Sequence, residues 1–459
     1  MQDQTKKDAA KTERQESGRK LPAVSARLPD GTMVELLYRP QERKTLFVVA
    51  RDGEAREAES VELPNGRLLV PYSAENNLIT HKAILLPSEA TEYQAEPVLR
   101  ALVRGFIHRY VDLPPDFEEV AAHYVCFSWR YDDFPDLPYL RVLGDYGSGK
   151  SRFLTTVGSI VYRPIFASGA STVSPLFRIL DAVGGTLVLD EGDFRFSDEK
   201  AEIVKILNNG NAKGFPVLRT DTTPTGEFNP RAFKVFGPKL ISTRHYFDDP
   251  ALESRCITAH LGQGDVRSDI PLNLPPEFEH QALTIRNQLL MYRLREAGRT
   301  DALDIPELRT LEPRIAQVFA SLLASVDDEN SRVRLLAFAR QASINLRNLR
   351  SDSIEADVVA AALALRERFS GVVPVKLIAG QLSGNDGGAP LSPRAVGAIL
   401  RRLGLSPRKR QGNYVLPGED MERLTKLAKR YNVMPSASTP QVDIGDIGDE
   451  EEDGAAVNR

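Results

Sequence analysis

The sequence predicts an α/β fold built on a parallel sheet, with a small β-rich domain before the sheet and a helical lid and a winged helix after it. Three observations carry that expectation. An apolar run at 139–143 ends in Gly144-Asp145-Tyr146-Gly147-Ser148-Gly149-Lys150-Ser151, a G-x-x-x-x-G-K-S loop with helical periodicity after it. A second apolar run at 186–189 delivers two acids, Asp190 and Glu191, at its C-terminal end. Strand and helix patterns then alternate to about residue 262, the order that gives parallel strands with crossovers.

Taken in order, residues 1–20 are polar and charged without apolar period and are expected to be disordered. Residues 21–95 read as a small β-rich domain, with short runs at 34–38, 45–49 and 67–70 punctuated by Gly31 and the Asn65-Gly66 pair. The P-loop core, 96–275, opens with helical periodicity over 96–126, interrupted at Pro114-Pro115, and continues through the phosphate loop into a helix at 152–162. Residues 276–370 form the helical lid. Residues 371–433 form the winged helix: a helix at 375–382, a capped helix with Ser392 as N-cap, Pro393 at N1 and Gly404 as stop, then a basic hairpin at 406–415. Residues 434–459 are an acidic tail expected to be disordered.

The phosphate loop states the chemistry. Gly144, Asp145, Tyr146, Gly147, Ser148 and Gly149 wrap a nucleotide's phosphates with backbone N–H groups, and Lys150 reaches the β/γ oxygens. The Ser151 hydroxyl and Asp190 hold Mg²⁺, and Glu191 activates the hydrolytic water. The implied ligands are ATP and Mg²⁺. The next buried strand, 239–244, has a polar end, Ser242 or Thr243, where a residue between the acids would sense the γ-phosphate; Thr243 is taken for that role. Arg255, in Ala251-Leu252-Glu253-Ser254-Arg255, carries a planar, permanently charged guanidinium suited to stabilising transition-state charge on a γ-phosphate, a structural ion pair to Asp248 or Asp249 being the other reading. Arg314, at a helix start, is a candidate nucleotide contact from the lid.

Nucleic acid is the expected macromolecular partner. An insertion at 208–236 has the character of a helix, loop and hairpin, with 217–219 and 233–236 pairing around the polar turn 221–226, and Lys213 and Arg219 as phosphate contacts. In the winged helix, Arg394, Arg401 and Arg402 project away from the apolar face of Val396, Ile399, Leu400 and Leu403, Arg408, Lys409 and Arg410 of the following hairpin are phosphate contacts, and all six are candidate DNA-binding residues. Residues 391–431 hold ten basic side chains against three acidic ones, whereas 441–459 hold seven acids and one base. The tail is thus placed to compete in cis with a polyanion.

Composition narrows the classes. The 459 residues are 42% hydrophobic and 27% charged, ordinary for a soluble protein. No run approaches a membrane span, the first residues lack a signal peptide's apolar core, and two isolated cysteines point to a reduced, cytoplasmic compartment. The six histidines show no metal-ligand spacing.

The segment around Arg255 resembles the arginine-bearing segment of ring-forming AAA+ ATPases, a resemblance that implies Arg255 acts in the active site of a neighbouring subunit. Strings at 139–151, 186–191, 206–210, 236–239 and 251–255 together resemble the ATPase module of phage and plasmid primase-helicases, a P-loop branch near helicase superfamily 3. The resemblance covers roughly 96–433. It implies an AAA+-like core and an ATP-dependent DNA helicase or translocase of a mobile genetic element, hydrolysing Mg-ATP at the subunit interfaces of a homo-oligomeric ring. A non-unwinding DNA-binding ATPase, such as a helicase loader or replication initiator, is the alternative, and a winged-helix regulator that only senses nucleotide is a third. Residues 1–95 carry neither zinc-binding cysteines nor a primase carboxylate pattern, so a separate primase is an implied partner.

Overall fold

The computed structural model of the protein describes residues 20–168, 173–190, 198–222, 228–299, 304–326, 328–351, 353–368, 372–382, 391–410 and 412–433. Residues 1–19, Glu191 and the tail 434–459 lie outside the described residues. The chain divides into two compact units at 343/344.

The first unit begins with two small sheets. Strand β1 (Lys20–Ala23) pairs with β7 (Leu68–Pro71), which also pairs with β6 (Val61–Glu62). An antiparallel meander runs in the order β2 (Ser25–Arg27), β3 (Met33–Arg39), β4 (Lys44–Arg51), β5 (Glu54–Ala58). Val34, Leu36 and Phe47 of this meander bury in the same apolar cluster as Ile165 and Leu187 of the central sheet. The β-rich region and the central sheet therefore share one core. A single turn, α1 (Asn77–Thr80), leads to α2 (Glu96–Tyr110) and the almost wholly buried α3 (Pro115–Ser128).

The central α/β layer is built from alternating strands and helices. In chain order these are β8 (Tyr139–Leu143), α4 (Lys150–Gly158), β9 (Pro164–Ser168), α5 (Val173–Val183), β10 (Thr186–Asp190) and α6 (Asp198–Asn209). After the hairpin β11 (Val217–Thr222) and β12 (Phe228–Phe233) come β13 (Lys239–Thr243), the short α7 (Pro250–Glu253) and β14 (Cys256–His260). All five core strands are parallel, in the order β14-β8-β13-β10-β9. Strand β13 is thus intercalated between β8, which leads into the phosphate loop, and β10, which ends in Asp190. The three C-terminal ends lie side by side, where open α/β sheets bind ligands.

The hairpin is set differently from the expectation at 233–236. Its second strand runs from Phe228 to Phe233, in register Val217↔Phe233 to Thr222↔Phe228. Phe233 is the last paired residue because its ring packs edge-on to Phe177, at 4.7 Å between centroids. Beyond it, Asp181 Oδ1 accepts from the Lys234 N–H (2.9 Å), and the chain turns toward the sheet.

Helix α8 (Glu277–Glu296) stacks Phe278 on Phe106 of α2, with ring centroids 5.2 Å apart. Helices α9 (Pro313–Leu323) and α10 (Glu329–Ser351) come next in the chain. The buried carboxylate of Glu35 in β3 accepts from Tyr162 Oη (3.0 Å) and Arg293 Nε (2.8 Å), and pairs with Arg163. This cluster links the meander, the sheet and α8.

The second unit orders its elements as α11 (Ile354–Arg368), β15 (Val373–Pro374), α12 (Val375–Leu382), α13 (Pro393–Arg402), β16 (Arg408–Arg410), β17 (Asn413–Leu416) and α14 (Met421–Arg430). The strands form one antiparallel sheet in the order β15-β17-β16. Val358, Ile378, Val396, Leu400, Leu416 and Leu424 fill its core. Ser392 caps α13 by accepting from the Ala395 N–H (3.2 Å), and Gly404 takes the left-handed φ of +76° that ends such a helix. No helix among the described residues is long and apolar enough to cross a membrane.

Candidate nucleotide site and nucleic-acid surfaces

The phosphate loop spans the end of β8 and the start of α4. Gly149, the residue before α4, has φ +90°, so a side chain there would be strained, and the loop needs glycine to turn its amides inward. Tyr146, Gly147, Ser148, Gly149, Lys150, Ser151, Arg152, Asp190, Thr243 and Arg244 line a cleft of about 320 Å³. Lys150 Nζ donates to the carbonyls of Gly144 and Asp145 (2.6 Å each), which lays the ammonium across the loop.

Asp190 receives a hydroxyl on each carboxylate oxygen. Ser151 Oγ donates to Oδ2 (3.1 Å) and Ser242 Oγ to Oδ1 (2.6 Å). Successive side chains of a strand point to opposite faces, so Ser242 and Thr243 of β13 divide the work. Ser242 orients the carboxylate; Thr243 reaches the cleft. Among the described residues Thr243 Oγ1 is buried without a hydrogen-bond partner, and so is Arg152 Nη1. Unpaired buried polar atoms beside a phosphate loop fit a ligand that supplies acceptors, and a serine hydroxyl beside a carboxylate fits Mg²⁺.

Arg255 stands at the other end of the sheet. Its carbonyl accepts from the Tyr139 N–H (2.9 Å), and β14 then runs five residues toward the phosphate end, a separation of about 16 Å at ~3.3 Å per residue. Its guanidinium donates to Asn211 Oδ1 and Asn208 Oδ1 (2.8 Å each) and to the Ala251 carbonyl. Asp249 is occupied elsewhere, capping α7 through the Ala251 N–H (2.8 Å) and accepting from Asn208 Nδ2 (2.6 Å). Burial, and then the nearby charge of Arg314, lower the pKa of Arg255. Arg314, which donates to Gln317 Oε1 (2.7 Å), is therefore brought together with Arg255 and does not line the phosphate cleft.

The predicted nucleic-acid cations fall into two groups. Several are engaged within the chain. Arg219 makes two bonds to Glu202 (3.1 and 2.6 Å), and Lys213 Nζ donates to the Asp132 carbonyl (2.7 Å). Arg402 pairs with Glu355, and Arg408 with Glu419 (3.1 Å). Others line or border a groove of about 450 Å³ between α13 and the hairpin, where Arg394, Arg401, Lys376 and half-exposed Tyr414 meet. Arg401 lies 5.9 Å from the Tyr414 ring centroid, and Lys409 and Arg410 are exposed on β16.

Reading the sequence alone missed Lys376, Tyr414, Arg152 and Arg244, whose surroundings are set by tertiary contact. It also left Arg141 unexplained. This fully buried arginine of β8 makes a two-pronged ion pair to Glu253 and bonds to Thr258 Oγ1 (3.1 and 2.9 Å). A charge in the apolar strand Tyr139–Leu143 was the available signal, because a buried guanidinium requires a carboxylate.

No protein-family model matches the sequence, and no curated protein is significantly similar to it. Among solved structures the chain is similar to the apo form of the NrS-1 C-terminal region, at 10% identity over 84% of this chain and 96% of that one, with a TM-score of 0.34. It is also similar to a full-length MCM homolog from Methanopyrus kandleri, at 13% identity over 65% of this chain and 69% of that one, again with a TM-score of 0.34.

Proposed function

We propose that this chain is an ATP-dependent DNA helicase or translocase that hydrolyses Mg-ATP between the subunits of a ring, in the replication of a mobile element. The observation that carries this reading is the cleft beneath the phosphate loop. There Lys150, Ser151, Asp190 and Thr243 line one space, and the buried hydroxyl of Thr243 has no hydrogen-bond partner among the described residues. When bound, Mg²⁺ would lie against Ser151 and Asp190 and offset charge on the β- and γ-phosphates. The chain's own residues do the rest. Backbone amides of the loop and Lys150 hold the phosphates, Ser242 fixes the carboxylate of Asp190, and Thr243 donates to the terminal phosphate. Glu191, which lies outside the described residues, is assigned to orienting the water. Arg255 cannot reach its own cleft from the far end of the sheet, so it serves a neighbour's γ-phosphate, with Arg314 beside it.

In this reading the second unit is a winged helix that holds the DNA backbone. The second function, a helicase loader or initiator that does not unwind, is favoured by one observation: Arg219 and Lys213 beside the hairpin are both engaged within the chain. Forked-DNA unwinding and DNA-stimulated hydrolysis by the purified protein separate the two. The motor reading expects both activities, abolished in Lys150→Ala and Glu191→Gln. Arg255→Ala would lose hydrolysis, yet recover part of it when mixed with Lys150→Ala subunits that retain Arg255. Hydrolysis without strand separation would select the second reading.

A further inference from the structure

We infer that the groove between α13 and the basic hairpin takes one unpaired nucleotide of a DNA strand, its base stacked on Tyr414 and its phosphates held by Lys376, Arg394 and Arg401. The inference rests on the nucleic-acid reading of the second unit given above, and deepens it by separating single-stranded from duplex DNA. The strand β17 places the ring. Side chains two apart on a strand share a face, so Tyr414 points to the same side as Leu416, which lies in the core of the unit. Tyr414 is nearer the hairpin turn, where it lines the groove and is 50% exposed. Lys409, directly across the hairpin from it, presents a cation on the same face.

The cations around this ring are available. Among the described residues no carboxylate lines the groove, and Lys376, Arg394 and Arg401 make no ion pair, whereas Arg402 and Arg408 are matched by Glu355 and Glu419. Arg401 stands 5.9 Å from the ring centroid, the outer range of a cation–π contact.

Glycine supplies the floor. Gly397 lies in the middle of α13, where glycine is a poorer helix former than alanine. Outside the helix's own backbone, a Cβ there would meet only Arg401 Nη2, at 3.9 Å. Packing within the unit therefore does not demand a glycine at this position, and close approach of a ligand to the backbone does. Its missing side chain helps open a groove of about 450 Å³, in the size range that encloses a small ligand.

The shape selects an unpaired base. In a duplex both faces of each base are stacked, so a ring set between a helix and a hairpin meets only sugar and phosphate. An unpaired base offers a free π-face, and its stacking on an aromatic side chain tolerates any sequence.

The test is fluorescence anisotropy at one salt concentration, with labelled oligo(dT) and with a duplex of equal length, on the full native chain, Tyr414→Ala, Tyr414→Phe and Gly397→Leu. Tyr414→Ala should weaken oligo(dT) binding about fivefold to a hundredfold and duplex binding less than about twofold. Tyr414→Phe, which keeps the ring, should stay within about twofold of the native chain for both probes. Gly397→Leu replaces glycine by a better helix former and fills the floor, so it should lose oligo(dT) binding as Tyr414→Ala does while the helix is kept. Equal losses for the two probes in Tyr414→Ala, or no loss, would overturn the inference, as would native affinity for oligo(dT) in Gly397→Leu. Binding of the duplex alone by the native chain would overturn it and leave the second unit a duplex binder; binding of neither probe would remove the nucleic-acid reading itself.

Discussion

Lys239 offers a quantitative test of the sheet's lower end. It opens β13, is fully buried, and donates through Nζ to the carbonyls of Val235 (3.1 Å) and Gly237 (2.6 Å), which lead out of the hairpin insertion. Burial lowers its pKa from 10.5 to about 7. Between those values the unfolded chain holds a proton that the folded chain has shed, so this group makes stability rise with pH. The cost of burying Lys239 is fully present below pH 7 and vanishes above 10.5. Integrating the linkage from pH 7 to pH 9 gives about 2 kcal/mol. Lys239→Met keeps the aliphatic length and removes the titration, though it leaves two carbonyls without a donor. The stability of the native chain should therefore gain about 2 kcal/mol on that of Lys239→Met over this pH range, whatever their offset at pH 7. Urea unfolding monitored by fluorescence of Trp129, the sole tryptophan and buried in the same unit, provides the measurement. Parallel stability–pH curves for the two proteins would refute the reasoning.

The ion pairs set two further outcomes. Removing the buried carboxylate in Glu35→Ala leaves the buried Arg163 without its carboxylate partner, while Arg293 keeps Asp132, and should cost about 3–5 kcal/mol, read in the same urea assay. On the nucleic-acid side, Arg394→Ala and Arg401→Ala should each lower the salt slope of DNA binding by about one unit. Arg402→Ala, whose charge is already matched by Glu355, should change it less; deleting 434–459, with its net negative charge, should raise affinity at low salt. Fluorescence anisotropy across a salt series compares the four, and equal slopes for Arg394→Ala and Arg402→Ala would refute the division of the cations.

How far the sequence speaks depends on how local the cause is. The parallel α/β layer and the loop between β8 and α4 were legible because apolar runs and glycines act over a few residues. The capped α13 was legible for the same reason: Ser392 and Gly404 lie at its own ends. The state of the basic side chains was not legible. Arg219 meets Glu202 from another element, and Arg402 meets Glu355 from 47 residues away. Counting ten bases over 391–431 measured the charge and not its availability. The hairpin register was missed because Phe233 is fixed by Phe177, a contact no strand pattern encodes.

Arg141 shows why a residue that looks wrong locally belongs to the site's construction. Inside an apolar strand it contributes little net stability, since burying a guanidinium and a carboxylate costs about what their attraction returns. Its effect lies in position. Glu253 is the last residue of α7, two before Arg255, and can satisfy Arg141 only when the 244–255 segment lies across β8 and β14. The same guanidinium lies under Phe247 and Tyr246 (4.9 and 5.5 Å), three and two residues after Arg244. One buried charge thus fixes the middle of a segment whose first residue faces the chain's own phosphate cleft and whose last stands at the opposite sheet end. Replacing Arg141 alone would leave Glu253, only partly buried, without its ion-pair partner and with only the Phe247 N–H among its described bonds, and would loosen the segment that carries both arginines.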